Sequence, residues 1–301
     1  MTLSVLKRSL TPPLLLLAGA CMGTQGKLAE ASPDTSSPVP TSATTTTTTS
    51  TTNTTLTTPD GRLIDVTVIT PAAPRGVILF SHGGNSSPLA TSALLARLTA
   101  RGFAVIAPTH TDSRSLPPER QTALRAAFFT RITDMKVAAG YAAETFPDLP
   151  TAQLGYSFGS ITSLIGGGAF AGTIPGSNAG VKAVVMFSSP GPIPPLTTAS
   201  GAFDAVTGPT LLITGDADTV PGFVDDPASH LIYFDQLPAG DHTALVVAGA
   251  THEFAGATEP GWDEVAAMVD DFLVGRVLAD AAANTRFNTT TSSALVTVKR
   301  K

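Results

Sequence analysis

Apolar positions along the chain change period in an ordered way. Leu63-Ile64-Asp65-Val66-Thr67-Val68-Ile69 alternates at period two, as a strand with two unlike faces does. Gly76-Val77-Ile78-Leu79-Phe80 and Phe103-Ala104-Val105-Ile106-Ala107 are unbroken apolar runs, the pattern of strands buried on both faces. Val181–Phe187, Pro209–Thr214 and Thr243–Ala248 predict three more strands. Between them, Leu94, Leu95 and Leu98 fall at helical spacing within 89–101, closed by Gly102. Residues 119–146 form an Ala-rich helical stretch ended by Pro147. Residues 262–282 predict an amphipathic helix with Val265, Met268, Val269, Phe272 and Leu273 on one face. Strands alternating with helices predict an α/β fold, a mostly parallel central sheet with helices on both faces.

The two ends break this rhythm. Lys7 and Arg8 precede the short apolar run Leu14–Ala20, and Cys21, the sole cysteine, follows at once. That is the layout of an export signal, residues 1–21, and it resembles a bacterial lipobox with Cys21 as the lipidation site. Residues 22–58 are rich in Thr, Ser and Pro, with too little apolar surface to offset their ordering entropy, and predict a disordered tether. The foldable domain is then 59–283. Residues 284–301 are polar and end in basic residues, and read as either a frayed tail or an edge strand. The expected setting is a protein exported from the bacterial cytoplasm, lipid-anchored to the envelope or secreted, and touching membrane only through its anchor.

Charge and composition narrow the chemistry. Charged residues are 14% of the chain and the formal net charge is −5, so no basic face for nucleic acid is indicated. A single cysteine in the leader leaves no intrachain disulfide and no thiol nucleophile in the domain. His and carboxylate residues lack metal-ligand spacing such as H-E-x-x-H, and no phosphate loop or dinucleotide fingerprint occurs, so neither metal nor cofactor is expected. No obligate protein partner is evident.

Gly155-Tyr156-Ser157-Phe158-Gly159 carries the chemistry. It lies between the extended Thr151–Leu154 and the helix-forming Ser160–Ile165. A serine on such a sharp strand-to-helix turn is pushed toward substrate, and glycines leave room for the helix to cross near the strand. The first N–H groups of the helix are free to stabilise an oxyanion. This reads as a nucleophile elbow with Ser157 as nucleophile. A serine hydroxyl needs a base, and His252, in the loop after the last strand, is the candidate. His242 opens that strand at the wrong end, His110 precedes the serine, and His230 lies in a connection with no supporting motif.

Phe80-Ser81-His82-Gly83-Gly84, Gly155–Gly159, Gly215-Asp216-Ala217-Asp218 and Gly249-Ala250-Thr251-His252 follow one another, each at the end of an expected strand. Together they resemble the α/β-hydrolases over roughly 60–283, most of all dienelactone-hydrolase-like and platelet-activating-factor-acetylhydrolase-like serine esterases. The resemblance implies the chain order Ser, Asp, His of the triad Ser157, Asp218 and His252, with Asp216 as the alternative acid. It implies a structural role for His82 and an oxyanion hole from the N–H groups of Gly84 and Phe158. Acetylhydrolase-like members take the acid after an earlier strand, where this chain has Ser188-Ser189. The connection Ser189–Gly208 is short for a cap domain, so the site is expected to be open, lined by Tyr156, Phe158 and the Pro190–Pro195 loop. The implied activity is hydrolysis of a carboxylic ester through an acyl-enzyme. A lipase, phospholipase or polyester hydrolase on the same triad is the alternative, and a non-catalytic binding lipoprotein of this fold is the second.

Overall fold

The computed structural model describes residues 48–301. The expected leader, Cys21 and most of the expected tether lie outside the described residues. The strands are β1 (Thr49–Thr57), β2 (Leu63–Pro71), β3 (Gly76–Ser81), β4 (Phe103–Pro108), β5 (Thr151–Tyr156), β6 (Val181–Phe187), β7 (Thr210–Gly215), β8 (His242–Val247) and β9 (Val296–Arg300). The helices are α1 (Ser92–Ala100), α2 (Ala127–Thr145), α3 (Phe158–Gly166), α4 (Ile232–Asp235), α5 (Trp262–Leu278) and α6 (Ala281–Thr289). One sheet contains all nine strands in the order β1-β2-β4-β3-β5-β6-β7-β8-β9. From β4 to β8 every pairing is parallel, and the outer pairs β1/β2, β2/β4 and β8/β9 are antiparallel.

Because strand side chains alternate, each apolar run feeds both faces. Ile78 and Phe80 pack with α1 and α5, while Val77 and Leu79 pack with Met135, Ala138 and Ala142 of α2. Ile161, Leu164 and Ile165 of α3 join Val184 and Met186 on this second face. All five apolar positions named for the C-terminal helix are buried, as its stripe requires. No helix among the described residues is long and apolar enough to cross a membrane.

Two boundaries differ from the sequence expectation, and a third decides between readings that the sequence left open. The Thr-rich segment Thr49–Thr57, expected within the tether, is a strand paired residue for residue with Leu63–Pro71. Threonine is β-branched and suits a strand, and the pairing satisfies the backbone without an apolar face. The helix expected from residue 119 begins at Ala127, because Thr122 N–H is taken by the carbonyl of Thr111 and the intervening chain follows that loop. The polar C-terminus is an edge strand, not a frayed tail: β9 pairs with β8, and α6 inserts Phe287 beside Phe272 at 5.1 Å between ring centres. The domain therefore runs past both expected limits. Between β6 and β7 no helical domain is inserted.

Candidate active site

The turn after β5 explains the two glycines of the pentapeptide. Ser157 has φ 52 and ψ −122, a strained conformation for a residue with a side chain. A Cβ on Gly155 would lie 2.1 Å from the Gly159 carbonyl oxygen, and one on Gly159 would lie 1.9 Å from that of Ser81. The helix can therefore cross the strand ends only if both positions lack side chains. Ser157 N–H donates to the Phe187 carbonyl at 2.8 Å, and Ser160 Oγ donates to the same oxygen at 2.7 Å, which locks the turn onto β6.

Ser157 Oγ lies 2.9 Å from His252 Nε2, and His252 Nδ1 lies 2.8 Å from Asp218 Oδ1. The structure thus brings together the three residues expected from sequence. It also separates the two candidate acids: Asp216 is exposed and its Oδ1 accepts from Gly249 N–H. Asp218 is fully buried. Burial alone would raise its pKa, but hydrogen bonds from His230 and His252 hold it well below the usual carboxylate range. A Cβ on Gly215 would lie 1.8 Å from the Ala250 carbonyl oxygen, so this glycine lets the end of β7 meet the loop that carries His252. Tyr156 both lines the cavity and donates its hydroxyl to the His252 carbonyl at 2.9 Å, bracing that loop.

The loop after β3 is held from beneath by a buried cation. Arg131 of α2 is wholly buried and forms a two-pronged pair with Asp112, through Nε and Nη2 at 2.8 Å each. Burial pushes the guanidinium down, and Asp112 offsets this. Burial likewise favours a neutral Asp112, but Arg131 outweighs it and keeps the carboxyl below its ordinary value. Arg131 also donates to the carbonyls of His82 at 2.7 Å and Gly83 at 3.0 Å. In a trans peptide the carbonyl and the next N–H point opposite ways. Anchoring the Gly83 carbonyl inward therefore turns Gly84 N–H outward, toward the cavity that Gly84, Ser157 and Phe158 line. Phe158 N–H, at the start of α3, has no intrahelical partner. Neither Gly83 nor Gly84 has a positive φ; the left-handed residue is Asn85, whose N–H is held by Asp112 Oδ2 at 2.8 Å. The glycines are needed for space instead, since a Cβ would meet Tyr156 at 3.0 Å or Leu124 at 2.8 Å.

His82 bridges the same loop, donating Nδ1–H to Gly83 at 2.7 Å and accepting His110 N–H at Nε2 at 3.0 Å. A second serine–histidine–aspartate line lies below it. Ser81 Oγ is 2.9 Å from His110 Nε2, whose Nδ1 is 2.8 Å from Asp134 Oδ2. All three residues are buried, so the line ties β3 and β4 to α2 and meets no substrate. Burial holds His82 and His110 neutral and pushes Asp134 up to about 6.

The cavity above Ser157 has a volume of about 940 Å³. Its walls are largely apolar, with Leu124, Phe128, Phe158, Pro190, Ile193 and Leu196 among them. Phe129 and Phe223 stand at its edge with 67% and 61% of their surface exposed. Among the described residues, Asp218, His230 and His252 are close enough together to be weighed as a metal-ligand set. Their facing atoms hydrogen-bond to one another, His252 Nδ1 and His230 Nε2 both to Asp218 Oδ1.

Comparison with solved structures agrees with the sheet order. An esterase from an Arctic intertidal metagenomic library, described as cold-adapted and bound to PEG, superposes with a TM-score of 0.57 at 18% identity, over 76% of this chain and 94% of its own. A dienelactone hydrolase from Anabaena variabilis gives 0.58 at 20% identity, over 76% and 99%. The fold is that of the α/β-hydrolases. Within the hydrolase fold, Ser157, Asp218 and His252 lie where the sheet's C-terminal strand ends converge, the usual ligand side of open α/β sheets. No protein-family model matches the chain. Curated relatives from two Mycobacterium tuberculosis strains, each named "Putative phosphoribosyl transferase", are 31% identical over 209 residues, or 68% of this chain. The chain spans 42% of the length of these relatives.

Sequence reasoning missed two groups. His230 was set aside for want of a motif, yet it is buried against Asp218. Arg131 lay inside a helical pattern, where a single arginine carries no signal of burial.

Proposed function

We propose that the protein is a serine hydrolase of carboxylic esters that works through an acyl-enzyme on Ser157. The observation that carries this reading is the unbroken line Ser157 Oγ–His252 Nε2–Asp218, at 2.9 and 2.8 Å, beside two outward N–H groups. His252 takes the hydroxyl proton as Ser157 attacks the ester carbonyl. Asp218 stays ionised, holds the tautomer with Nδ1–H toward it, and stabilises the imidazolium. The N–H groups of Gly84 and Phe158 receive the oxyanion. His252 then protonates the leaving alcohol, and the same histidine activates the water that releases the acid. The likeness to solved esterases supports the fold on which this chemistry is built, and the site carries the activity.

The test is turnover of p-nitrophenyl esters together with covalent labelling by a fluorophosphonate. Wild-type protein is expected to hydrolyse the esters and take the label on Ser157, and S157A to do neither while keeping its melting temperature. Activity retained in S157A overturns the reading.

The apolar walls and exposed Phe129 and Phe223 favour a large hydrophobic ester, of a lipid or a polyester, as a second form of the same activity. An acyl-chain-length series decides between them: rates rising beyond about eight carbons favour this form, and rates falling after butyrate favour a short-chain esterase. Export and anchoring through Cys21 belong to the same proposal, and rest on the leader's basic and apolar segments. C21S is expected to move the protein from the membrane to the soluble fraction, and unchanged partitioning removes the anchor.

A further inference from the structure

His230 lies in the short helix Pro227–Leu231, fully buried, and both of its ring nitrogens face acceptors. Nδ1 faces the carbonyl oxygen of Ser189. Nε2 faces the carbonyl oxygen of Asp218 and its carboxylate Oδ1, each at 3.0 Å. A neutral imidazole carries one N–H and one bare lone pair. In either neutral tautomer, that lone pair would point at an oxygen lone pair in a fully buried site. Only the doubly protonated ring satisfies all three oxygens.

We propose that His230 is a standing imidazolium, and that it is a positioning residue for the Ser157–His252–Asp218 relay. The second half of this proposal rests on the serine-hydrolase reading; the first does not. The Asp218 carboxylate receives Thr214 Oγ1–H on Oδ2 at 3.0 Å and His230 Nε2–H on Oδ1. Held from two sides, it offers its remaining Oδ1 lone pair to His252 Nδ1–H. The bond to Ser189 and that to the Asp218 carbonyl also tie the loop after β6 to the loop after β7. Although burial opposes a charge on His230, the Asp218 carboxylate and the two carbonyls lift its affinity for the proton above the ordinary value.

The charge balance gives the consequence. Asp218 is the carboxylate within hydrogen-bond reach of both rings, and the rings of His230 and His252 lie 6.1 Å apart between centres, at 20°. The neighbouring titratable groups are otherwise engaged or outward. Glu259 holds Thr251, Asp226 caps Ala228 N–H, the Tyr233 hydroxyl donates to Gly191, the Tyr156 hydroxyl donates to His252 O, and Glu253 is exposed. His230 therefore shares the Asp218 carboxylate with His252 and fixes its orientation toward the His252 ring.

Histidine ring-nitrogen NMR on the intact wild-type protein tests the charge directly. His230 is expected to show two protonated nitrogens at about pH 8, where an ordinary imidazole is neutral. One protonated and one bare nitrogen at that pH overturns the imidazolium. Kinetics of H230Q test the positioning. The expected result is a kcat lower by about ten-fold with KM within about three-fold. A wild-type kcat in H230Q overturns the positioning role. Fluorophosphonate labelling of wild-type Ser157 keeps the two readings apart. Absence of label defeats the serine-hydrolase reading and with it the positioning role, while the NMR result still decides the charge.

Discussion

Ser157 is held at φ 52 with its hydroxyl aimed at His252, a conformation that costs about 1–3 kcal/mol and is sustained by the bonds that lock the elbow to β6. The two aspartates near β7 illustrate how little sequence spacing says about partnership. Asp216 and Asp218 differ by two positions, yet one faces solvent and the other meets three donors. D218N is therefore expected to lower kcat by about 10⁴-fold, because an amide no longer holds the productive tautomer. D216N is expected to stay within a few-fold of wild type. Parallel ester assays of both variants decide the assignment, and the reverse ranking overturns it.

At the scale of elements, the turn after β5 and the loop after β3 are built by different means. The elbow depends on missing side chains: G155A would place a Cβ 2.1 Å from a carbonyl oxygen, so the helix must shift away from the strand. Loss of soluble, labelled protein is the expected outcome, read by fluorophosphonate labelling and melting temperature. The loop after β3 depends on Arg131. R131M leaves Asp112 charged and buried, with an expected cost of about 3–5 kcal/mol. R131M/D112N removes the orphaned charge and is expected to regain part of that stability. Its kcat should stay low, because the Gly83 carbonyl has lost its anchor and Gly84 N–H its fixed direction. Recovery of both stability and kcat in the double variant would show that Arg131 acts only through the ion pair.

For the whole molecule, both sheet edges lie in polar segments: the Thr-rich run expected in the tether, and the C-terminal run left open between frayed tail and edge strand. Deleting residues 293–301 exposes the edge of β8, whose strand leads to the His252 loop. Its removal is expected to lower the melting temperature and increase aggregation, read by calorimetry. Buried carboxylates set the response to pH with opposite signs. Asp112 and Asp218 lie below their ordinary values, so the stability they add is present above about pH 4 and lost as pH falls through their folded-state values. Asp134, pushed up to about 6, contributes stability in its protonated form that is lost as pH rises from about 4 through about 6. D134N is expected to remove that decline, so the wild-type and variant melting curves should diverge over this range.

By itself the sequence determined the parts that rest on periodicity and local sterics. Apolar runs named the central strands, the stripe of Val265, Met268, Val269, Phe272 and Leu273 named a core-facing helix, and the glycines around Ser157 marked a turn that only a close helix crossing requires. The resemblance put Ser157, an aspartate and His252 in chain order after strand ends, and left Asp216 and Asp218 as alternatives for the acid. What required tertiary structure was pairing across long separations. A threonine-rich segment becomes a strand only when β2 lies beside it, and a basic tail does so only beside β8. His230 and Arg131 have no local pattern that distinguishes them. The first gains its meaning from acceptors contributed by the loops after β6 and β7, the second from carbonyls and a carboxylate some 20 to 50 residues away. Burial makes those partners obligatory, since an unpaired charge or donor there has no water to turn to.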